Sequence, residues 1–195
     1  MKDETKNTEQ LFRDNFEKIY LSHYSGMVRF ACEYTVHKED AENIVQDAFT
    51  DIWEIRHELF YEKKHLLAFL FTSIKNRCID FLRHQIVVRE AENAMQEISR
   101  REMQLKFDSL EAFELDLLSS ETSIEDLIMN AINALPEKCR EIFVKNKFEG
   151  KKQKDIAREM NISINTVETQ MSIAYKKLKQ ELKDHLPLLL FILYW

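Results

Sequence analysis

At 195 residues the chain has room for one large domain or two small ones. Two Gly and two Pro leave few turns for a sheet protein, and helical periodicity runs almost throughout, so an all-α protein built in pieces is expected. The formal net charge of −6 argues against unaided capture of DNA, but it is unevenly spread: −3 over residues 1–88, −7 over 89–126 and +4 over 127–195.

The polar start, MKDETKNTEQ, is unlike a signal peptide. Cys32, Cys78 and Cys139 lie far apart on apolar helix faces, without a CxxC pair or histidines at metal-ligand spacing. Buried, reduced thiols in a cytoplasmic protein with no metal are therefore expected. Phe12, Phe16, Ile19, Tyr20, Tyr24, Met27, Val28, Phe30, Ala31 and Tyr34 suggest two helices broken near Ser22–Gly26. Residues 37–56 follow with Ala41, Ile44, Val45, Ala48, Phe49, Ile52 and Trp53 at helical spacing, and acids at the start suit the helix dipole. The other face, Asn43, Gln46, Asp47, Thr50, Asp51 and Glu54, is polar and acidic, as a solvated face would be.

Residues 57–65, HELFYEKKH, have no clean period and interleave Phe60 and Tyr61 with Lys63 and Lys64. Rings that stack on bases beside ammonium groups that meet phosphates suit a single nucleic-acid strand, although a loop packing its own aromatics has the same composition. The helix Leu66–His84 buries Leu67, Leu70, Phe71, Ile74, Cys78, Phe81 and Leu82. Its opposite side gathers Phe69, Thr72, Ser73, Asn76, Asp80 and Arg83, with Lys75 and Arg77 on the flanks. An amide can read a base edge and a guanidinium can clamp a phosphate, whereas the plainer alternative makes Phe69 core.

Residues 89–122 turn acidic and lose periodicity, which reads as a linker with local helix. Ser123 to Asp126 fit a capping box, and Pro136 opens a helix carrying Cys139, Ile142 and Phe143. Gln153–Met160 is a short helix, Asn161 tolerates a left-handed turn around a buried Ile162, and Ser163 caps a longer helix. Ile164, Val167, Met171, Ala174, Leu178 and Leu182 form its apolar stripe. Asn165, Thr166, Glu168, Thr169, Ser172, Ile173 and Lys176 lie opposite. The arrangement is a helix-turn-helix that could place its second helix in the DNA major groove, with an ordinary helical hairpin as the alternative. The end, LPLLLFILYW, is too short to span a bilayer. It is either a contact surface or a tail folded onto its own domain; completion of the motif at Leu182 leaves no evident vacancy and favours contact.

DAENIVQDAFTDIWEIR, LLAFLFTSIKNRCIDFLRH, ALPEKCREIFVKNKFEG and KDIAREMNISINTVETQMSIAYKKLK, in that order, resemble a bacterial sigma-70 family RNA polymerase sigma factor of the extracytoplasmic-function type. The resemblance covers about residues 11–86 and 124–182. It implies a second sigma region over 1–88 and a fourth region over 123–186, and leaves the acidic linker over 89–122 and the apolar tail over 187–195 outside it. It further implies that Asn43, Gln46, Asp47 and Thr50 dock on core RNA polymerase. Phe60, Tyr61, Lys63, Lys64, Phe69, Asn76, Arg77 and Arg83 would hold the melted −10 strand. Thr166, Glu168, Thr169, Ser172 and Ile173 would face −35 bases, with Lys151, Lys152 and Lys176 near phosphates. Many relatives carry Leu-Ser where this chain has Lys151–Lys152, and the arginines common on their recognition helix are missing here. The partners implied are core RNA polymerase, promoter DNA and an anti-sigma protein, with no enzymatic activity, cofactor, small-molecule substrate or membrane span. A helix-turn-helix repressor or response-regulator output protein binding DNA without polymerase is the alternative, and a helical adaptor a third.

Overall fold

The computed structural model describes residues 2–55, 63–92, 97–120 and 122–195. No strand occurs among the described residues, and the chain divides into two compact units, residues 1–120 with Tyr194 and residues 121–193 with Trp195. The first contains α1 (Lys2–Cys32), α2 (Lys38–Ile55), α3 (Lys63–Glu92) and α4 (Glu97–Ser119). The second contains α5 (Ile124–Asn133), α6 (Glu137–Lys147), α7 (Gln153–Glu159), α8 (Ile164–Glu181) and α9 (Leu186–Tyr194).

In the first unit, Met27, Phe30 and Ala31 of α1 join Ala41, Val45, Ala48 and Phe49 of α2 and Leu67, Leu70, Phe71, Ile74 and Cys78 of α3 in the core. Aromatic pairs fix α1 on α2: Phe16 meets Trp53 edge-on at 5.2 Å and Tyr20 meets Phe49 at 5.1 Å between ring centroids. The expected break near Ser22–Gly26 does not occur. Gly26 is buried inside the unbroken α1. A glycine costs a helix only about 1 kcal/mol, less than burial of the side chains beside it contributes. Cys32 is exposed at the end of α1, against the expectation of a buried thiol, while Cys78 and Cys139 are buried.

The acidic stretch is more structured than a bare linker. α3 continues to Glu92, and α4 packs on α3 through Met103, Leu110 and Phe113, with Phe113 edge-on to Phe71 at 5.4 Å. Lys75, placed on an exposed flank by its sequence position, is 2% exposed and donates to Glu114 at 3.0 Å. α4 thus supplies the carboxylate that a buried ammonium requires.

The second unit follows its capping signals closely. Ser123 and Asp126 form both halves of the capping box, and Pro136 is the N-cap of α6. Cys139 donates its thiol to the carbonyl of Gln170 at 3.2 Å, joining α6 to α8. Ile128, Ile132, Ile142, Phe143, Ile156, Val167, Met171, Ala174 and Leu178 form the core.

The tail reading that favoured a contact surface is corrected here. Leu188, Leu189, Phe191 and Ile192 of α9 are buried, as is Trp195. The vacancy lies over the end of α6: Phe148 meets the Trp195 ring at 6.5 Å, and Lys147 donates to the carbonyls of Leu193 and Trp195. The periodicity of α8 could not reveal that space.

Candidate functional site

Two surfaces carry the residues singled out in the sequence, one on each unit. On the first, Asn43, Gln46, Asp47 and Thr50 are all exposed along α2. Their spacing of three and four places them in one row, because the opposite stripe, Ala41, Val45, Ala48, Phe49 and Ile52, is buried. Thr50 Oγ donates to the Gln46 carbonyl at 2.9 Å, leaving the Gln46 amide and the Asp47 carboxylate to face outward.

Phe60 and Tyr61 lie outside the described residues. The backbones of Lys63 and Lys64 form the start of α3. Further along α3, Phe69 is half-buried and Asn76 is exposed, one turn and more apart on the helix. Arg77 is engaged: its guanidinium pairs with Asp51 of α2 at 2.8 Å and donates to Ser73 Oγ at 2.7 Å. Ser73 in turn donates to Asp51 at 3.1 Å, closing a three-membered network between α2 and α3. Arg83 is exposed, donates to Asp80 at 3.0 Å and covers the Phe107 ring of α4 at 5.8 Å. The face is therefore one ring and one amide open to a ligand, framed by two arginines that already hold acids or a ring. Sequence position alone could not show these pairings, since Asp51 and Phe107 belong to other helices.

On the second unit, the helix-turn-helix is built by backbone geometry. α7 ends in a Schellman arrangement: Ile162 N–H donates to the Ala157 carbonyl at 2.9 Å and Asn161 N–H to that of Arg158 at 3.3 Å. Asn161 takes φ 52, the left-handed conformation its short amide side chain tolerates. Ile162 is half-buried, less than expected. Ser163 Oγ then caps α8 by accepting from Thr166 N–H at 3.0 Å.

The leading face of α8 presents Glu168, Thr169, Ser172, Ile173 and Lys176, all exposed, with Thr166 half-buried behind Ser163. Thr169 Oγ returns to the Asn165 carbonyl at 2.8 Å and Thr166 Oγ lies 2.8 Å from Ser163 Oγ. The face thus offers a carboxylate, hydroxyls, a methyl-bearing edge and an ammonium, the groups that meet base edges and phosphates in a major groove. Lys152 is the exposed N-cap of α7. Lys151 is half-buried and paired, with Glu159 at 2.6 Å and Glu149 at 3.1 Å. Lys145 reaches the other oxygen of Glu159 at 2.6 Å. These two ammonium groups, Lys145 first, hold the Glu159 carboxyl down to about 2, and Glu159 raises both lysines in return.

No group of residues that could hold a metal ion occurs among the described residues. Family models match both surfaces. Sigma-70 region 2 matches residues 19–86, which take in α2 and the exposed face of α3, and Sigma-70, region 4 matches residues 125–178, which take in α6, α7 and the leading face of α8. No curated protein matches the chain.

Proposed function

As this chain belongs to the sigma-70 family of RNA polymerase sigma factors, we propose that it is a factor of the extracytoplasmic-function type that binds core RNA polymerase and directs it to a set of promoters. Promoter recognition is the shared role of the two matched regions, and such factors bind DNA and start transcription without catalysing it. The observation that carries the finer reading is the pairing of region 2 with region 4 in two separate compact units.

In this reading the row Asn43, Gln46, Asp47 and Thr50 docks on the polymerase. The polar side of α3, with Phe60, Tyr61, Lys63 and Lys64 before it, receives the melted −10 strand. Phe69 supplies a ring and Asn76 an amide to an unstacked base. Arg77 and Arg83 reach phosphates only by exchanging their present acidic partners. The leading face of α8 meets the −35 element, with Lys152 and Lys176 beside phosphates. The acidic segment 89–122 joins the two matched regions in sequence, and its helix α4 belongs to the first unit.

The charge distribution supports dependence on polymerase: −7 over residues 89–126 set against +4 over 127–195 gives the free chain little attraction for duplex. The place of action is that of the polymerase, the cytoplasm, and an anti-sigma protein is the proposed restraint. Among the described residues no helix is long and apolar enough to cross a membrane. Capture of purified core polymerase by the tagged chain tests the reading. Retention that survives physiological salt supports it; failure to retain core, with specific duplex binding by the chain alone, replaces it with a repressor.

A further inference from the structure

The turn that leads into the helix-turn-helix carries more charge than base reading requires. Glu159, in the last turn of α7, accepts from Lys145 at one oxygen and from Lys151 at the other, both at 2.6 Å. Lys151 also faces Glu149 at 3.1 Å, and Lys145 faces Glu141 at 3.6 Å. Carboxylates therefore outnumber ammonium groups in the cluster.

The backbone builds this arrangement. Gly150 takes φ 68, a conformation that only glycine adopts without cost, and so turns the chain back on α6. Lys151 N–H then donates to the Lys145 carbonyl at 3.0 Å, and the Asn146 amide donates to the Lys151 carbonyl at 2.9 Å. Lys151 is fixed one residue before the N-cap of α7, the helix that crosses the phosphate backbone in this motif. The Glu159 and Lys151 side chains are 43% and 36% exposed and that of Lys145 15%, and ion pairs this open to solvent add little to stability.

We propose that Glu159 sets the balance between specific and non-specific DNA binding, by holding Lys151 and Lys145 in intramolecular pairs and withholding them from phosphates. A lysine already paired releases no DNA counterion when duplex arrives, so it adds nothing to sequence-independent attraction. Affinity is then left to the face of α8, which can tell one sequence from another. The proposal rests on the reading of the second unit as a duplex-binding unit.

The test is a salt titration of the full chain on a labelled random-sequence duplex, with circular dichroism to follow the fold. Glu159→Gln, made in a Glu149→Gln background so that Lys151 keeps no second carboxylate, preserves the shape and removes the charge. With Lys151 freed, this variant should bind roughly five- to tenfold tighter at about 0.1 M salt, with a log–log salt slope steeper by about 0.9. Lys151→Gln alone should change affinity by less than about twofold, since the paired lysine contributes no counterion release. Adding Lys151→Gln to the double variant should remove most of the gain. Unchanged or weaker binding by the double variant overturns the proposal, as does a large loss from Lys151→Gln alone. Because the duplex has no promoter, this result is independent of the −35 assignment, which is tested separately by promoter preference in the presence of core polymerase.

Discussion

Phe191→Ala tests whether the apolar end of the chain is core. Phe191 is fully buried in α9, and its ring centroid lies 5.9 Å from that of Trp195. Removing the ring forfeits its transfer free energy and leaves a cavity, together about 3–5 kcal/mol for a phenylalanine in a core. Small domains are stable by only about 5–15 kcal/mol, so the second unit would lose a large share of what keeps it folded. The two tryptophans, Trp53 and Trp195, lie one in each unit, so a Trp53→Phe background lets fluorescence follow the second unit alone. With a urea slope of about 1–3 kcal/mol per molar, the midpoint should fall by at least about 1 M. A loss below about 1 kcal/mol, with improved solubility, would show that the tail is a surface rather than core and would refute the packing account.

Asp47→Arg lies on an exposed position, so stability should hold within about 0.5 kcal/mol, while retention of core polymerase falls at least about tenfold from the reversed charge. Phe69→Ala and Asn76→Ala should impair promoter opening more than initial binding, because a base held on a ring contributes about 1–3 kcal/mol only after the duplex has melted; permanganate reactivity of melted thymines is the readout. Glu114→Gln leaves the buried Lys75 ammonium without its carboxylate and should lower the melt of the first unit by about 1–3 kcal/mol, whereas Lys75→Met should cost less. The Glu159 carboxyl is depressed from 4.5 to about 2, so its stabilising contribution is present above about pH 4.5 and is lost as pH falls towards 2. Carbon-detected NMR titration of the side chain should show that low midpoint, and Lys145→Met should raise it.

The second unit was legible because its signals are local. Ser123 with Asp126, Asn161 and Ser163 each satisfy a helix end within a few residues and adopt the role their chemistry suggests, while Pro136 opens α6 from the N-cap position, one residue before the first turn, without a side-chain cap bond. The stripe from Val167 to Leu182 needs only the helical period. What could not be read depends on partners distant in the chain. Lys75 looks like a surface residue until Glu114 arrives from α4, and Arg77 looks available until Asp51 is beside it. The signal for α4 was present in Met103, Phe107, Leu110 and Phe113, spaced three and four apart, but the acidic residues between them masked it. Gly26 misled in the opposite sense, since a glycine weakens a helix without ending it when its neighbours are buried. The partly concealed charge of Lys151 likewise depends on Glu159, at the far end of α7.

The most direct measurement is transcription from fragmented genomic DNA of the source organism with purified core polymerase, mapping transcript 5′ ends with and without this chain. The account predicts a small, reproducible set of start sites that appears only when both proteins are present, and that Asp47→Arg abolishes in proportion to lost core retention. Start sites unchanged by the chain, together with tight specific duplex binding by the chain alone, would contradict it.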